Sequence, residues 1–201
     1  MNFEIVKKNL EGKGYAVSCF GTASEAAQYL DGCIDGKTVG IGGSATVGQM
    51  GLYEKLAAHN QVSWHGAMPQ GKTDHEVRMS ARASQVYISS VNGLAQTGEI
   101  INIDGLCNRV SETLYGHEKV YLVVGKNKLA EDYDKALWRA RNVAAPKNAQ
   151  RLGMDTPCAE KGDRCYDCKS PQRICKALVV FWEKPLRNDI EVVLIDEKLG
   201  F

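Results

Sequence analysis

Short apolar, β-rich runs alternate along most of the chain with segments whose apolar residues recur at three- and four-residue spacing, the pattern of a parallel sheet with crossover helices. A first helix is predicted over 2–11 and a strand over 15–19. Thr22-Ala-Ser-Glu25 has the form of a capping box and opens a helix to about Leu30. A strand over 38–41 runs into Gly42-Gly43-Ser44, and Val47, Met50, Leu52, Leu56 and Ala57 mark the helix that follows. Next come a strand over 62–64, a second capping box at Thr73-Asp-His-Glu76 with a helix to about Ala83, and a strand over 86–91. This last strand is apolar-rich throughout, as a strand buried on both faces is.

Residues 92–109 are rich in Gly, Asn and Asp around a short strand at 100–103, and read as irregular and polar. A strand over 119–124 and a helix over 131–144, burying Tyr133, Leu137 and Ala140, complete the alternation, and Pro146 starts another short helix. Two final apolar runs, over 178–183 and 190–196, flank Pro185 to Asp189 and predict an antiparallel hairpin. The expected fold class is therefore α/β. With 201 residues, 44% of them apolar, the chain is long enough for one well-buried core, so a single domain over 1–201 is expected, with the cysteine-rich segment 157–176 inside it.

Charge narrows the partners. Lys plus Arg number 25 against 24 for Asp plus Glu, a net charge of +1 with no basic stripe, which argues against nucleic acid. No apolar run approaches the length of a membrane span, and Met-Asn-Phe-Glu-Ile-Val-Lys-Lys has no apolar signal core. The expected location is cytoplasmic, where thiols stay reduced. Self-association into a homo-oligomer is left open.

Reduced thiols give weight to Cys158, Cys165, Cys168 and Cys175, spaced C-x6-C-x2-C-x6-C. Zinc and a four-iron cluster both need four thiolates on one point, and a C-x2-C pair supplies two from one turn. Pro157, Gly162, Asp163, Asp167, Ser170 and Pro171 break up regular structure between them. The spacing matches neither the paired-knuckle zinc pattern nor the short-repeat ferredoxin run, so the expectation is a metal centre, zinc or iron–sulfur. Redox-active or idle thiols are the alternatives, and Cys19, Cys33 and Cys107 stand apart as core or pocket-wall residues.

Gly40-Ile-Gly42-Gly-Ser-Ala45 satisfies the dinucleotide formula between a strand and a helix. No carboxylate follows about 20 residues on to hold a ribose; Asn60-Gln-Val-Ser-Trp-His65 stands there. What remains is an anion site at Gly42, Gly43 and Ser44, or a tight turn alone. Gly66-Ala-Met-Pro-Gln-Gly71-Lys72-Thr73 fits the P-loop formula, with Asp196 as a magnesium-binding acid, but follows the third strand and has Thr73 as a helix cap. Nucleotide hydrolysis is the weaker alternative function. In open parallel sheets, ligands bind beyond the C-terminal strand ends, and three such ends carry 42–44, 89–92 and 125–128. There Glu99 or Asp104 is a candidate base or nucleophile, Arg109 or Lys126 a candidate holder of an acid substrate, and Asn92 and Asn108 candidate ligand contacts.

Together, Ile41-Gly-Gly-Ser-Ala-Thr-Val-Gly48, Asn102-Ile-Asp-Gly-Leu-Cys-Asn-Arg-Val110, Val123-Val-Gly-Lys-Asn-Lys128 and Asn142-Val-Ala-Ala-Pro-Lys-Asn-Ala-Gln-Arg151 resemble the LUD domain, the lactate-utilisation family. Pro157-Cys158 and Asp167-Cys-Lys-Ser-Pro-Gln-Arg-Ile-Cys175 resemble a subgroup with a cysteine-rich tail. The resemblance implies a three-layer αβα fold similar to the ribose-phosphate isomerase and acyl-CoA transferase superfamily. It also implies association with subunits of an iron–sulfur complex that oxidises lactate; the strand-end residues, for their part, lead to the expectation of a small anionic ligand, carboxylate or phosphate. The chain departs from the pattern at Gln96, where relatives carry an acid, and at Cys107, where they carry a small residue. A non-enzymatic electron-transfer or assembly module is the competing reading.

Overall fold

A computed structural model describes residues 3–201. Its centre is a six-stranded sheet, every pairing parallel, in the order β1-β10-β7-β4-β2-β3. The strands are β1 (Ala16–Phe20), β2 (Thr38–Ile41), β3 (Gln61–Trp64), β4 (Val86–Ser90), β7 (Lys119–Gly125) and β10 (Ile190–Ile195). Helices α2 (Ala23–Cys33), α3 (Ala45–Gln49) and α4 (Leu52–Ala57) cover one face, where Leu30, Val47 and Leu56 pack on Ile41, Ile88, Val123 and Val193. Helix α1 (Phe3–Gly12) packs Val6 and Leu10 on the other face; its expected start at residue 2 lies outside the described residues. Both predicted capping boxes form, at Thr22 with Glu25 and, on α5 (Asp74–Arg82), at Thr73 with Glu76.

The helix expected after Ser44 is broken in two at Gly51, whose φ of +61° suits a residue without Cβ. The stretch 92–109 is more ordered than its composition implied. It holds β5 (Gly93–Ala95), β6 (Ile100–Asp104) and the start of α6 (Asn108–Leu114). These strands belong to a second sheet, ordered β8-β5-β6-β9, with β8 (Leu129–Ala130) and β9 (Ala177–Phe181). The second sheet adds a layer to the helix-flanked central sheet: Leu94, Ile100 and Phe181 pack towards β4, β7 and β10. Ala95 and Ile101 turn the other way, onto Ala136 and Ala140.

The predicted C-terminal hairpin is corrected. Strand β9 pairs antiparallel with β6, and β10 inserts parallel between β1 and β7. Every residue of β10 is buried, a burial that a central strand obtains and a hairpin edge does not. The helix predicted over 131–144 is α7 (Tyr133–Arg139), continued by a widened π turn, Ala140–Ala144, into α8 (Ala145–Arg151). Pro146, in the first turn of α8, has no N–H to give, and the wide turn accommodates the lost bond; the Ala145 N–H reaches back to the Ala140 carbonyl.

Candidate functional site

Strands β2, β4 and β7 are near neighbours running the same way, so the loops at their C-terminal ends meet. After β2, Ser44 caps α3, its hydroxyl accepting from the Val47 N–H at 3.2 Å. After β4 come Val91 and Asn92; after β7 a single 3-10 turn, Lys126–Lys128, bends the chain back. Gly43, Ser44, Asn92, Asp104, Asn108 and Arg109 line one cavity of about 350 Å³ there. Gly42 lies just behind it: a Cβ on Gly42 would stand 3.1 Å from the Arg109 Cγ.

Arg109 is fully engaged by the protein. One terminal nitrogen donates to the Ser90 carbonyl (3.0 Å) and Asn102 Oδ1 (2.6 Å), the other to Asn92 Oδ1 (3.1 Å) and the Ile103 carbonyl (2.9 Å). Its Nε lies 3.6 Å from Asp104 Oδ2. The four terminal N–H donors of the guanidinium thus have partners and Nε faces an ion-pair partner, and Arg109 acts as the pin joining β4, β6 and the turn before α6. Asp104 is committed too. Its oxygens accept from the Cys107 N–H at 3.1 Å and the Val110 N–H at 3.2 Å, closing that turn.

Two candidates stand outside the cavity lining. Glu99 pairs with Lys13 at 3.2 Å and accepts from the Thr97 hydroxyl at the β5–β6 hairpin; burial raises its pKa, but the bonds from Thr97, its own N–H and Lys13 outweigh this and hold it below the usual range. Lys126 pairs with Asp196 at 3.0 Å on the surface. The lysine that enters the cavity is its neighbour, Lys128, only 4% exposed. Its Nζ donates to the Thr46 and Ser90 hydroxyls, each at 2.7 Å. Burial, reinforced by Arg139 and Arg109, holds its pKa well below the ordinary lysine range. Both lysines sit in Val123-Val-Gly-Lys-Asn-Lys128; Lys128, and not the Lys126 expected from the sequence, lines the cavity, because the sense of the 3-10 turn is not written in the residue types.

His65, Arg78 and Arg151 complete the polar wall. Burial, then Arg78, holds the His65 imidazole below its usual pKa. Arg78 gives its Nε to Asp74 and Arg151 bonds the Asn148 oxygen. The lining is therefore rich in basic side chains, while its one side-chain carboxylate among the described residues, Asp104, is already tied. An anion is the ligand this field favours.

The sequence profile of the LUD domain family matches residues 3–195. The chain belongs to the LUD domain family. Among curated proteins none matches. A solved DUF162 family protein from Deinococcus radiodurans is similar to this LUD domain over 96% of this chain and 95% of its own, at 10% identity and a TM-score of 0.53, a likeness of fold. Ribose 5-phosphate isomerase from Plasmodium falciparum (14% identity, TM-score 0.33) aligns over 54% of this chain and 52% of its own. For eIF2B beta from Chaetomium thermophilum (11%, 0.36) the shares are 56% and 44%. Both of the latter are partial overlaps that carry no functional weight.

The LUD domain also carries the cysteine segment, after α9 (Pro157–Lys161). Cys158, Cys165, Cys168 and Cys175, all free thiols, line one small cavity of about 20 Å³ with Arg141 and Arg173. Among the described residues, no three His, Cys, Asp or Glu side chains are gathered within reach of one metal ion. Around the sulfurs, the Arg173 Nε donates to Cys175 Sγ at 3.1 Å, the Asp167 N–H to Cys165 Sγ at 3.4 Å, and Thr156 Oγ1 lies 3.4 Å from Cys158 Sγ. Arg173 is raised above its usual pKa, first by its bond to Cys175. Asp167 takes a φ of +46°, turning the chain between the C-x2-C pair. Ala145 and Ile174 line both this cavity and the larger one, so one layer of side chains separates them. The third motif, 66–73, is an exposed loop with Thr73 Oγ1 occupied by the Glu76 N–H. No helix among the described residues is long and apolar enough to cross a membrane.

Proposed function

We propose that this LUD domain binds the carboxylate of a small organic acid, lactate or a close relative, in the cavity beyond β2, β4 and β7, and serves a complex that oxidises that acid. The observation that supports it is the charge of the lining: Arg78 and Arg151 face a space whose sole side-chain carboxylate among the described residues, Asp104, is spent on two backbone N–H groups. A cavity of about 350 Å³ lies at the small end of the range for small-molecule sites. Glu99, ion-paired outside the lining, and Asp104, held by its turn, are poorly placed as general bases, which favours a binding role for both carboxylates' neighbourhood over catalysis by them.

The cysteine loop belongs to the same reading. Four thiols around one small cavity, with N–H···S bonds and two arginines beside them, suit a soft, anionic centre, zinc or iron–sulfur, held by Cys158, Cys165, Cys168 and Cys175. An iron–sulfur centre there would supply electron transfer one side-chain layer from the ligand, while zinc would be structural. Calorimetric titration with L-lactate tests the first half: saturable binding, weakened by about 1.5–3 kcal/mol in Arg151→Gln, is expected, and no heat at millimolar ligand would refute it. Metal analysis and visible absorption of protein purified without oxygen test the second.

A further inference from the structure

We infer that the Lys128 amine is a carbonyl-reactive nucleophile, and that the cavity takes 2-oxo acids, which condense with it to an imine. This deepens the reading above and rests on the cavity as the ligand site. The argument begins with hydrogen-bond arithmetic. The Ser90 hydroxyl donates to the Val123 carbonyl at 2.5 Å and the Thr46 hydroxyl to the Leu199 carbonyl at 3.3 Å. Each is thereby left to accept, and each accepts from Lys128 Nζ at 2.7 Å. Two acceptors match the two N–H bonds of a neutral amine; an ammonium ion would leave its third N–H without a protein partner.

The charges around Nζ point the same way. Arg109 and Arg139 both act on Lys128, and it forms no ion pair with a carboxylate among the described residues. Asp104, in the same cavity, faces Arg109. A lysine desolvated and set beside other cations is the arrangement that yields a free amine at neutral pH. A neutral amine with its two hydrogens occupied has one lone pair left, and Lys128 is part of the cavity wall. Attack of that lone pair on a ketone carbon gives a carbinolamine. Both amine hydrogens then leave with the ketone oxygen as water while the C=N bond forms, so no oxidant or reductant is consumed. Arg78 and Arg151 supply the counter-charge for the carboxylate of the same molecule, which makes the ligand a 2-oxo acid rather than a simple ketone.

The test is reductive trapping with pyruvate as probe. Intact protein is held with pyruvate and sodium borohydride at neutral pH, and the adduct is located by peptide mass spectrometry. One reduced adduct on the peptide containing Lys128, retained in Lys126→Met and lost in a folded Lys128→Met, is the expected result. Absence of an adduct, or labelling spread evenly over surface lysines, overturns the inference. If Lys128→Met fails to fold, the peptide assignment on the unaltered protein decides by itself. L-Lactate has no carbonyl to condense, so its titration reports on the cavity alone: lactate binding without trapping removes the reactive amine and leaves the anion reading, whereas trapping at Lys128 without lactate binding does the reverse.

Discussion

A side chain begun at Gly42 would stand 3.1 Å from the Cγ of Arg109, a residue 67 positions later, and 2.7 Å from the Tyr87 hydroxyl. The loop after β2 and the turn before α6 are therefore closed against each other, and the glycine is what lets them meet. Gly42→Ala is expected to destabilise the fold by about 1–3 kcal/mol, since the Tyr87 ring is buried and cannot withdraw freely. Thermal or urea unfolding measures it; an unchanged midpoint would show that the turn yields easily.

Arg109 joins that turn to β4 and β6 through four hydrogen bonds and the Asp104 contact. Arg109→Leu takes the guanidinium donor away from oxygens of Ser90, Asn92, Asn102 and Ile103, of which Asn92 Oδ1 keeps the Ile103 N–H, and a loss of about 3–5 kcal/mol is expected. Denaturant titration checks this. A variant that unfolds normally but binds ligand poorly would instead make Arg109 a ligand contact.

Ligand affinity is expected to rise as the pH falls. Burial and Arg78 hold His65 below its usual pKa, and a carboxylate bound beside it would raise that value. Between the free and bound pKa values, binding takes up a proton, so acidification through that interval, whose lower end lies below the ordinary imidazole value of about 6.5, tightens it. Calorimetry across that range, in buffers of different ionisation enthalpy, reads the proton directly. His65→Gln should flatten the profile.

Cys107 sits at the N-terminus of α6 with φ of +63°, the left-handed region that costs a residue with a Cβ roughly 1–2 kcal/mol. Glycine relieves this at some cost in unfolded-chain entropy. Cys107→Gly is expected to hold or raise stability by up to about 1 kcal/mol, read as a higher melting temperature, and a fall would assign the thiol a packing role that outweighs its backbone strain.

What the sequence determined by itself was local or periodic. Both capping boxes, at Thr22 and Thr73, were legible because each is closed within four residues, and the strand and helix alternation followed from short continuous apolar runs set between segments of three- to four-residue apolar spacing. The convergence of Ser44 and Asn92 was readable because parallel strands must present their C-terminal ends at one edge, whereas Asp104 ends β6 of the second sheet and reaches the cavity only through tertiary packing. Tertiary structure decided the rest. β9 and β10 are adjacent in sequence but enter different sheets, because β10 is apolar enough to be buried along its whole length between β1 and β7, while β9 takes the edge of the second sheet beside β6. Lys126 and Lys128 are chemically alike, yet one turn of 3-10 helix sends the first to Asp196 and the second to Thr46 and Ser90. Arg109 has the type of a ligand-binding residue and is a structural pin, since four oxygens from two segments, 90–92 and 102–103, reach it before any ligand does. Which side chain faces a cavity, and which is already satisfied, depends on pairings across the chain that no local pattern records.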